Sequence, residues 1–124
     1  MLTYLFRGDI VRQVPDYSSL GPVFQALADP TRRAVLERLA RGPAGVTELA
    51  RPFPMALPSF AQHLDVLERS GLVRSRKQGR VRTYALETRP LAEAVDWLAR
   101  QRSTWEQRLD QLDQHLLDAK EREQ

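Results

Sequence analysis

Residues 58 to 86 read PSFAQHLDVLERSGLVRSRKQGRVRTYAL, and within them the hydrophobic period changes from that of a helix to that of a strand. Phe60, Leu64 and Leu67 recur at i, i+4 and i+7 and so share one helical face, while Pro58 suits a helix start because it forfeits no hydrogen bond there. Gly71 stops that helix. Leu72 to Arg76 and Val81 to Leu86 then form short alternating segments around Lys77, Gln78, Gly79 and Arg80, with Gly79 supplying the positive φ of a tight turn. A helix from Leu57 to Ser70 followed by a β-hairpin with a basic tip is the expected local structure.

Working toward the N-terminus, Thr47 is expected to cap a short helix, Glu48 to about Arg51, that Pro52 and Pro54 keep from lengthening. Two helices joined by a proline-punctuated turn give a helix-turn-helix outline. Before it, Asp29 and Pro30 form a strong helix start, and Val35, Leu36, Leu39 and Ala40 make a buried face until Gly42 and Pro43. Leu20 to Ala28 reads as a short apolar helix, and residues 1–19, without a sustained period, as an N-terminal arm. Toward the C-terminus, Pro90 opens a long helix in which Leu91, Val95, Leu98, Trp105, Leu109, Leu112 and Leu116 follow steps of four and three, interrupted by Arg102. From Pro90 to Leu117 such a helix spans about 40 Å, more than a body this small can cover. Leu98, Trp105, Leu109, Leu112 and Leu116 are therefore expected to form a homodimer interface. The organisation that follows is an arm (1–19), a winged helix-turn-helix core (20–89), a dimerisation helix of the same domain (90–118) and a frayed tail (119–124). The fold class is mainly α with a small β-hairpin.

A chain of 124 residues, 42% hydrophobic and 7% aromatic, builds one modest core. The absence of cysteine excludes disulfides, thiolate metal ligands and thiol redox sensing, and His63 and His115 alone leave little for a transition metal, so no cofactor is expected. No apolar run approaches membrane-span length, and Arg7, Asp9, Arg12 and Asp16 interrupt the start where a signal peptide would be apolar, so a cytoplasmic, membrane-free protein is expected. The net charge is +3, but Pro30 to Pro90 holds twelve Arg and Lys against five Asp and Glu, whereas Glu106 to Gln124 holds three against six. A basic block inside a foldable segment fits either a nucleic-acid surface or a solvated arginine-rich one. No glycine-rich phosphate loop, nucleophile motif or convergent acid and base pair is present, so an enzyme is not expected.

Position favours nucleic acid. The second helix of a helix-turn-helix fits the major groove, where every base pair shows a distinct pattern of donors and acceptors. Opposite the apolar face, this helix shows Ser59, Gln62 and His63, with Val66 and Arg69 a turn later. Gln62 has the amide needed to bond an adenine edge bidentately, while Ser59 and His63 suit a base or a phosphate. Arg74, Arg76, Lys77, Arg80 and Arg82 place five positive charges within nine residues of the hairpin, where a wing would lie along phosphates or in the adjacent minor groove.

Residues Val23 to Leu117, about three quarters of the chain, resemble the ArsR/SmtB family of bacterial winged-helix repressors. The likeness is carried by FQALADPTRR (24–33), QHLDVLERSGLV (62–73) and RKQGRVRTYAL (76–86), in that order. The resemblance implies a homodimer built from first and last helices that presents two recognition helices to a palindromic DNA operator, often in the protein's own promoter. It is closest to the branch without metal sites. Metal-sensing members carry a cysteine pair where this chain has Ala50, Arg51 and Pro52. At the family's second metal site, His115 and Asp118 match the later half, but Arg102 and Thr104 stand in the earlier half. Where the family often carries serine this chain has Ala56 and Ala61, and Asp65 replaces a common basic residue, which shifts the expected contact to Ser59, Gln62, His63 and the wing. The competing reading from these departures is a winged-helix protein-interaction module that no longer binds DNA. Neither reading specifies an effector.

Overall fold

The corner between the first two helices shows how local chemistry sets the frame. In the computed structural model, which describes residues 17–123, α1 (Leu20–Leu27) and α2 (Pro30–Leu39) are separated only by Ala28 and Asp29. Asp29 is extended (φ −110°, ψ 133°) and its carboxylate accepts the Arg32 backbone N–H at 3.1 Å, while Pro30 occupies the first helical position. Partial burial pushes the Asp29 carboxyl up, but the bond from Arg32 N–H and the nearby Arg32 charge outweigh it and hold the group below its ordinary value. The arm expected over residues 1–19 lies outside the described residues up to position 16, and Tyr17 to Ser19 form the turn into α1.

β1 (Ala44–Gly45), α3 (Val46–Ala50) and α4 (Leu57–Arg69) follow. The short helix starts earlier than Thr47: Gly45 is its N-cap and no side chain bonds there, so the expected Thr47 cap is corrected. The hairpin pairs β2 (Val73–Gln78) with β3 (Val81–Leu86), and β1 adds a third antiparallel strand in the order β1-β3-β2. Ala44 lies opposite Tyr84 and Gly45 opposite Thr83. β2 continues to Gln78, so Lys77 and Gln78 are strand residues and the turn is only Gly79 and Arg80. Gly79 has φ +63° and no other residue type among those described has positive φ, which fits a type II′ turn with glycine first. Gly71 has φ +84°, and an added Cβ would sit 3.3 Å from Pro90 Cγ, so glycine there meets both a backbone and a packing demand.

The chain divides into two units, one through Ala94 and one from Val95 onward, and the last helix α5 (Arg89–Glu123) is shared between them. The core of the first unit joins Val23 and Ala26 of α1, Val35, Leu36 and Leu39 of α2, Leu49 of α3, Phe60, Leu64 and Leu67 of α4, then Leu72, Val73, Tyr84 and Ala94. Ser19 Oγ donates to Glu93 Oε2 at 2.6 Å, fixing the first turns of α5 beside the start of α1. The second unit is a continuation of α5 alone. Its helical backbone runs through Glu123 and so includes residues 119–123 of the expected tail. The i,i+4 pairs Arg100–Asp96 and Arg102–Glu106 lie along its exposed surface. No helix among the described residues is long and apolar enough to cross a membrane.

The Asp29 cap yields a prediction with a definite sign. Its folded value is depressed, so its contribution is complete above the unfolded value near 3.8 and is lost as pH falls through the lower folded value. Asp29→Ala is expected to cost about 1 kcal/mol in urea unfolding at pH 7. The difference from the parent should shrink as pH is lowered below about 3.8, and a gap independent of pH would show that the carboxylate charge is not what caps α2.

Candidate nucleic-acid interface

The recognition helix is set by what it buries. Phe60, Leu64 and Leu67 are between 0 and 1% exposed, and each removes enough apolar surface to contribute about 2 kcal/mol. Phe53, in the turn between α3 and α4, stacks on Phe60 with ring centroids 5.4 Å apart, and its N–H bonds Ala50 O at 3.0 Å. The turn is thereby packed onto both helices that it joins. Arg38 adds a polar tie from α2: it donates to Gly42 O at 3.0 Å and to the Glu48 carboxylate of α3. That bond and the Arg38 charge hold the Glu48 carboxyl below its ordinary value.

With the apolar stripe inward, Ser59 and Gln62 are exposed, one helical turn apart, and neither makes a side-chain hydrogen bond among the described residues. The N-cap of α4 is Ala56, which has no side chain to bond the first-turn N–H groups. His63 stands differently. It is half-buried, with Nδ1 3.0 Å from Arg32 Nη1 and 3.8 Å from Asp29 Oδ2. Arg69 is separated from this group: it pairs with Asp65 at 3.0 Å and, with Pro22, Gln25, Val66 and Ser70, lines a depression of about 250 Å³ against α1.

The register divides four of the five charges of the wing between two faces and leaves Arg80 in the turn. In a strand successive side chains alternate, and the pairs Ser75↔Tyr84 and Lys77↔Arg82 share the face that carries buried Val73 and Tyr84. On that face Ser75 Oγ donates to Glu68 Oε2 of α4 at 2.7 Å, and Arg82 Nη1 donates to Ser75 Oγ at 2.8 Å. Burial and then the Glu68 charge push the Tyr84 phenol up. Arg74 and Arg76 lie on the opposite face, where with Pro43, Gln78, Thr83 and Ala85 they line a depression of about 460 Å³. Arg74 is also held by Glu87 at 3.4 Å. Arg76, Lys77 and Arg80 are exposed and without an ion pair among the described residues.

The sequence-predicted site residues thus fall into three groups. Ser59, Gln62 and His63 come together on α4; Lys77 and Arg82 lie on the wing face shared with α4, with Arg80 at the tip; Arg69, Arg74 and Arg76 lie elsewhere. Arg32 was missed. The sequence shows it only as one more arginine of α2, whereas the structure ties its guanidinium to His63. Among the described residues no group of three or more His, Cys, Asp or Glu could hold a metal ion.

A family model described as a helix-turn-helix domain matches residues 27–76. The HTH-type transcriptional regulator Rv2034 of Mycobacterium tuberculosis is 50% identical over 61% of this chain and 71% of its own length. The transcriptional repressor SdpR of Bacillus subtilis is 32% identical over 61% of this chain and 84% of its own. A crystal structure of an ArsR family transcriptional regulator is 59% identical with a TM-score of 0.70, covering 74% of this chain and 95% of that one. Taken with a buried α4 stripe, an adjoining basic hairpin and a long final helix, these likenesses show that the chain belongs to the ArsR/SmtB family of winged helix-turn-helix transcriptional regulators.

Proposed function

We propose that this regulator is a homodimeric, sequence-specific repressor that occupies a palindromic operator and excludes polymerase. The observation that carries the reading is the pairing of exposed, unbonded Ser59 and Gln62 on α4 with unpaired Lys77 and Arg80 on the adjoining hairpin. The first pair suits base edges and the second suits phosphates. The name of the Bacillus subtilis relative, a transcriptional repressor, supports repression. A metal-independent mode is supported by Ala50, Arg51 and Pro52 at the position of the metal-sensing cysteines. Action on a promoter places the protein in the cytoplasm.

The dimer reading rests on α5. Leu98, Trp105, Leu109, Leu112 and Leu116 are 49 to 64% exposed and fall on one seam with the spacing of a coiled coil. Arg102, at a seam position, bonds Glu106 of its own helix at 3.4 Å, so its charge is already partly met when a second copy packs there. Leu109→Glu is expected to sediment as a monomer and to bind DNA poorly. A dimer of unchanged stability would place the interface on another surface.

DNA binding is tested by fluorescence anisotropy on the protein's own upstream DNA and a scrambled duplex at several salt concentrations. If Lys77, Arg80 and Arg82 of two protomers each meet a phosphate, log K should fall against log salt with a slope of about −5. A slope near −9 would bring Arg74 and Arg76 into contact as well, contrary to the division of the wing. Arg80→Ala should weaken binding to both duplexes and reduce the slope by about 2 per dimer, since each protomer loses about one phosphate contact. Gln62→Ala should cost about 1 to 3 kcal/mol mainly on the preferred sequence. Equal losses on both duplexes would remove Gln62 from base reading. No binding at low salt would favour the interaction-module reading.

A further inference from the structure

We infer that Arg32 is a positioning residue that fixes His63 as a neutral donor, with its proton on Nε2, for a base-edge acceptor in DNA. The inference rests on the DNA-binding reading above and names a specificity determinant for it.

Each of the three guanidinium nitrogens of Arg32 has a partner. Nε donates to Ala26 O at 2.8 Å and Nη2 to Gln25 O at 2.9 Å, two carbonyls at the C-terminal end of α1. Nη1 points to His63 Nδ1 at 3.0 Å. Because a guanidinium can only donate, Nδ1 must accept through its lone pair, and the neutral ring then carries its proton on Nε2. The backbone of Arg32 is fixed as well, since its N–H is the one capped by Asp29. A carboxylate, two carbonyls and a guanidinium thus hold one edge of an imidazole that belongs to the recognition helix.

The other edge is free. Nε2 makes no hydrogen bond among the described residues, and no buried side-chain nitrogen or oxygen there lacks a partner. Nε2–H therefore reaches solvent, on the same helix as Ser59 and Gln62 and within four residues of both. A donor of fixed tautomer and fixed direction suits the N7 of a purine or the O6 of guanine, the acceptors of the major-groove edge. It also excludes the alternative in which a freely rotating ring offers either nitrogen.

Two measurements test this. In long-range proton–nitrogen spectra of the free protein at pH 7.5, His63 should show a single Nε2–H tautomer, while exposed His115 shows averaged nitrogens. Arg32→Met should move His63 toward the averaged pattern and leave His115 unchanged. A wild-type His63 carrying its proton on Nδ1, or averaged like His115, overturns the proposal without reference to DNA. The second measurement uses the tightest duplex recovered by selection from a random library, compared with a scrambled one. Arg32→Met should lower the ratio of the two affinities about tenfold, with scrambled-duplex affinity changed less than twofold. His63→Gln, whose amide supplies an N–H donor in place of Nε2–H without needing Arg32, should retain most of the ratio, and adding Arg32→Met to it should change the ratio no further. A full tenfold loss in that background would mean that Arg32 acts through the fold rather than through His63. Equal losses on both duplexes would make His63 a phosphate contact and overturn its base-reading role. If the wild type binds no duplex, the DNA role fails with the proposed function, and the spectra still decide the tautomer.

Discussion

The burial of Phe60, Leu64 and Leu67 is the constraint on which the outward chemistry depends. A helix has one rotational setting once a stripe is buried, and each residue turns it by about 100°. With these three side chains closed to solvent, Ser59 and Gln62 have no option but to face out. A slip of one position would bury Ala61, Asp65 and Glu68 instead, two of them carboxylates that could not be left unpaired in a core. The Phe53 ring against Phe60 extends the same logic into the turn, so that a short proline-rich segment is held by packing where it has little regular hydrogen bonding. The outward placement of Ser59 and Gln62 is therefore a consequence of apolar burial on the other side of the helix.

Polar ties then refine a setting that packing alone leaves approximate. Arg32 connects the end of α1, the start of α2 and the middle of α4, and Glu68 connects α4 through Ser75 to Arg82 of the wing. These contacts sit in partly buried or exposed surroundings, where each hydrogen bond adds about 1 kcal/mol and its geometric effect exceeds its energetic one. A wing that could pivot freely about its strands would spread its charge over many positions. The Glu68–Ser75–Arg82 chain limits that freedom by joining the strands to the helix beside them.

Much of this architecture was legible in the sequence, for physical reasons that also explain the failures. The α4 stripe, the Asp29 and Pro30 start and the Gly79 turn depend on residues close in the chain, and each appears as a local pattern. β1 does not, because two residues have no period and Ala44–Gly45 is a strand only through its pairing with Tyr84 and Thr83. Thr47 has the residue type of a cap, yet the helix begins two residues earlier than Glu48, at Val46, with Gly45 as N-cap. The Arg32–His63 contact joins positions 31 residues apart and leaves no trace in composition or spacing. Two further features follow from local spacing alone. Asp65 and Arg69 stand at i,i+4, and the parity of a strand already separates Arg74 and Arg76 from Lys77.

That parity changes what the basic wing means. Five charges in nine residues look like one patch, but a β-hairpin has two faces, and only one of them is shared with α4. Arg74 is further offset by Glu87, and Arg69 by Asp65, so the charge available to a phosphate backbone beside the recognition helix is less than the count of arginines suggests. Surface ion pairs of this kind contribute little to stability, about 0 to 1 kcal/mol. On the proposed reading their consequence is electrostatic: they offset part of the attraction to nucleic acid and leave Lys77 and Arg80 without an ion pair among the described residues. On the proposed reading, a binder whose nonspecific affinity is restrained in this way would depend more on base contacts from α4, because the ratio of specific to nonspecific affinity, rather than either alone, decides where a DNA-binding protein resides on a chromosome. Placing carboxylates beside arginines and recognition side chains on a tightly packed helix are two parts of the same solution.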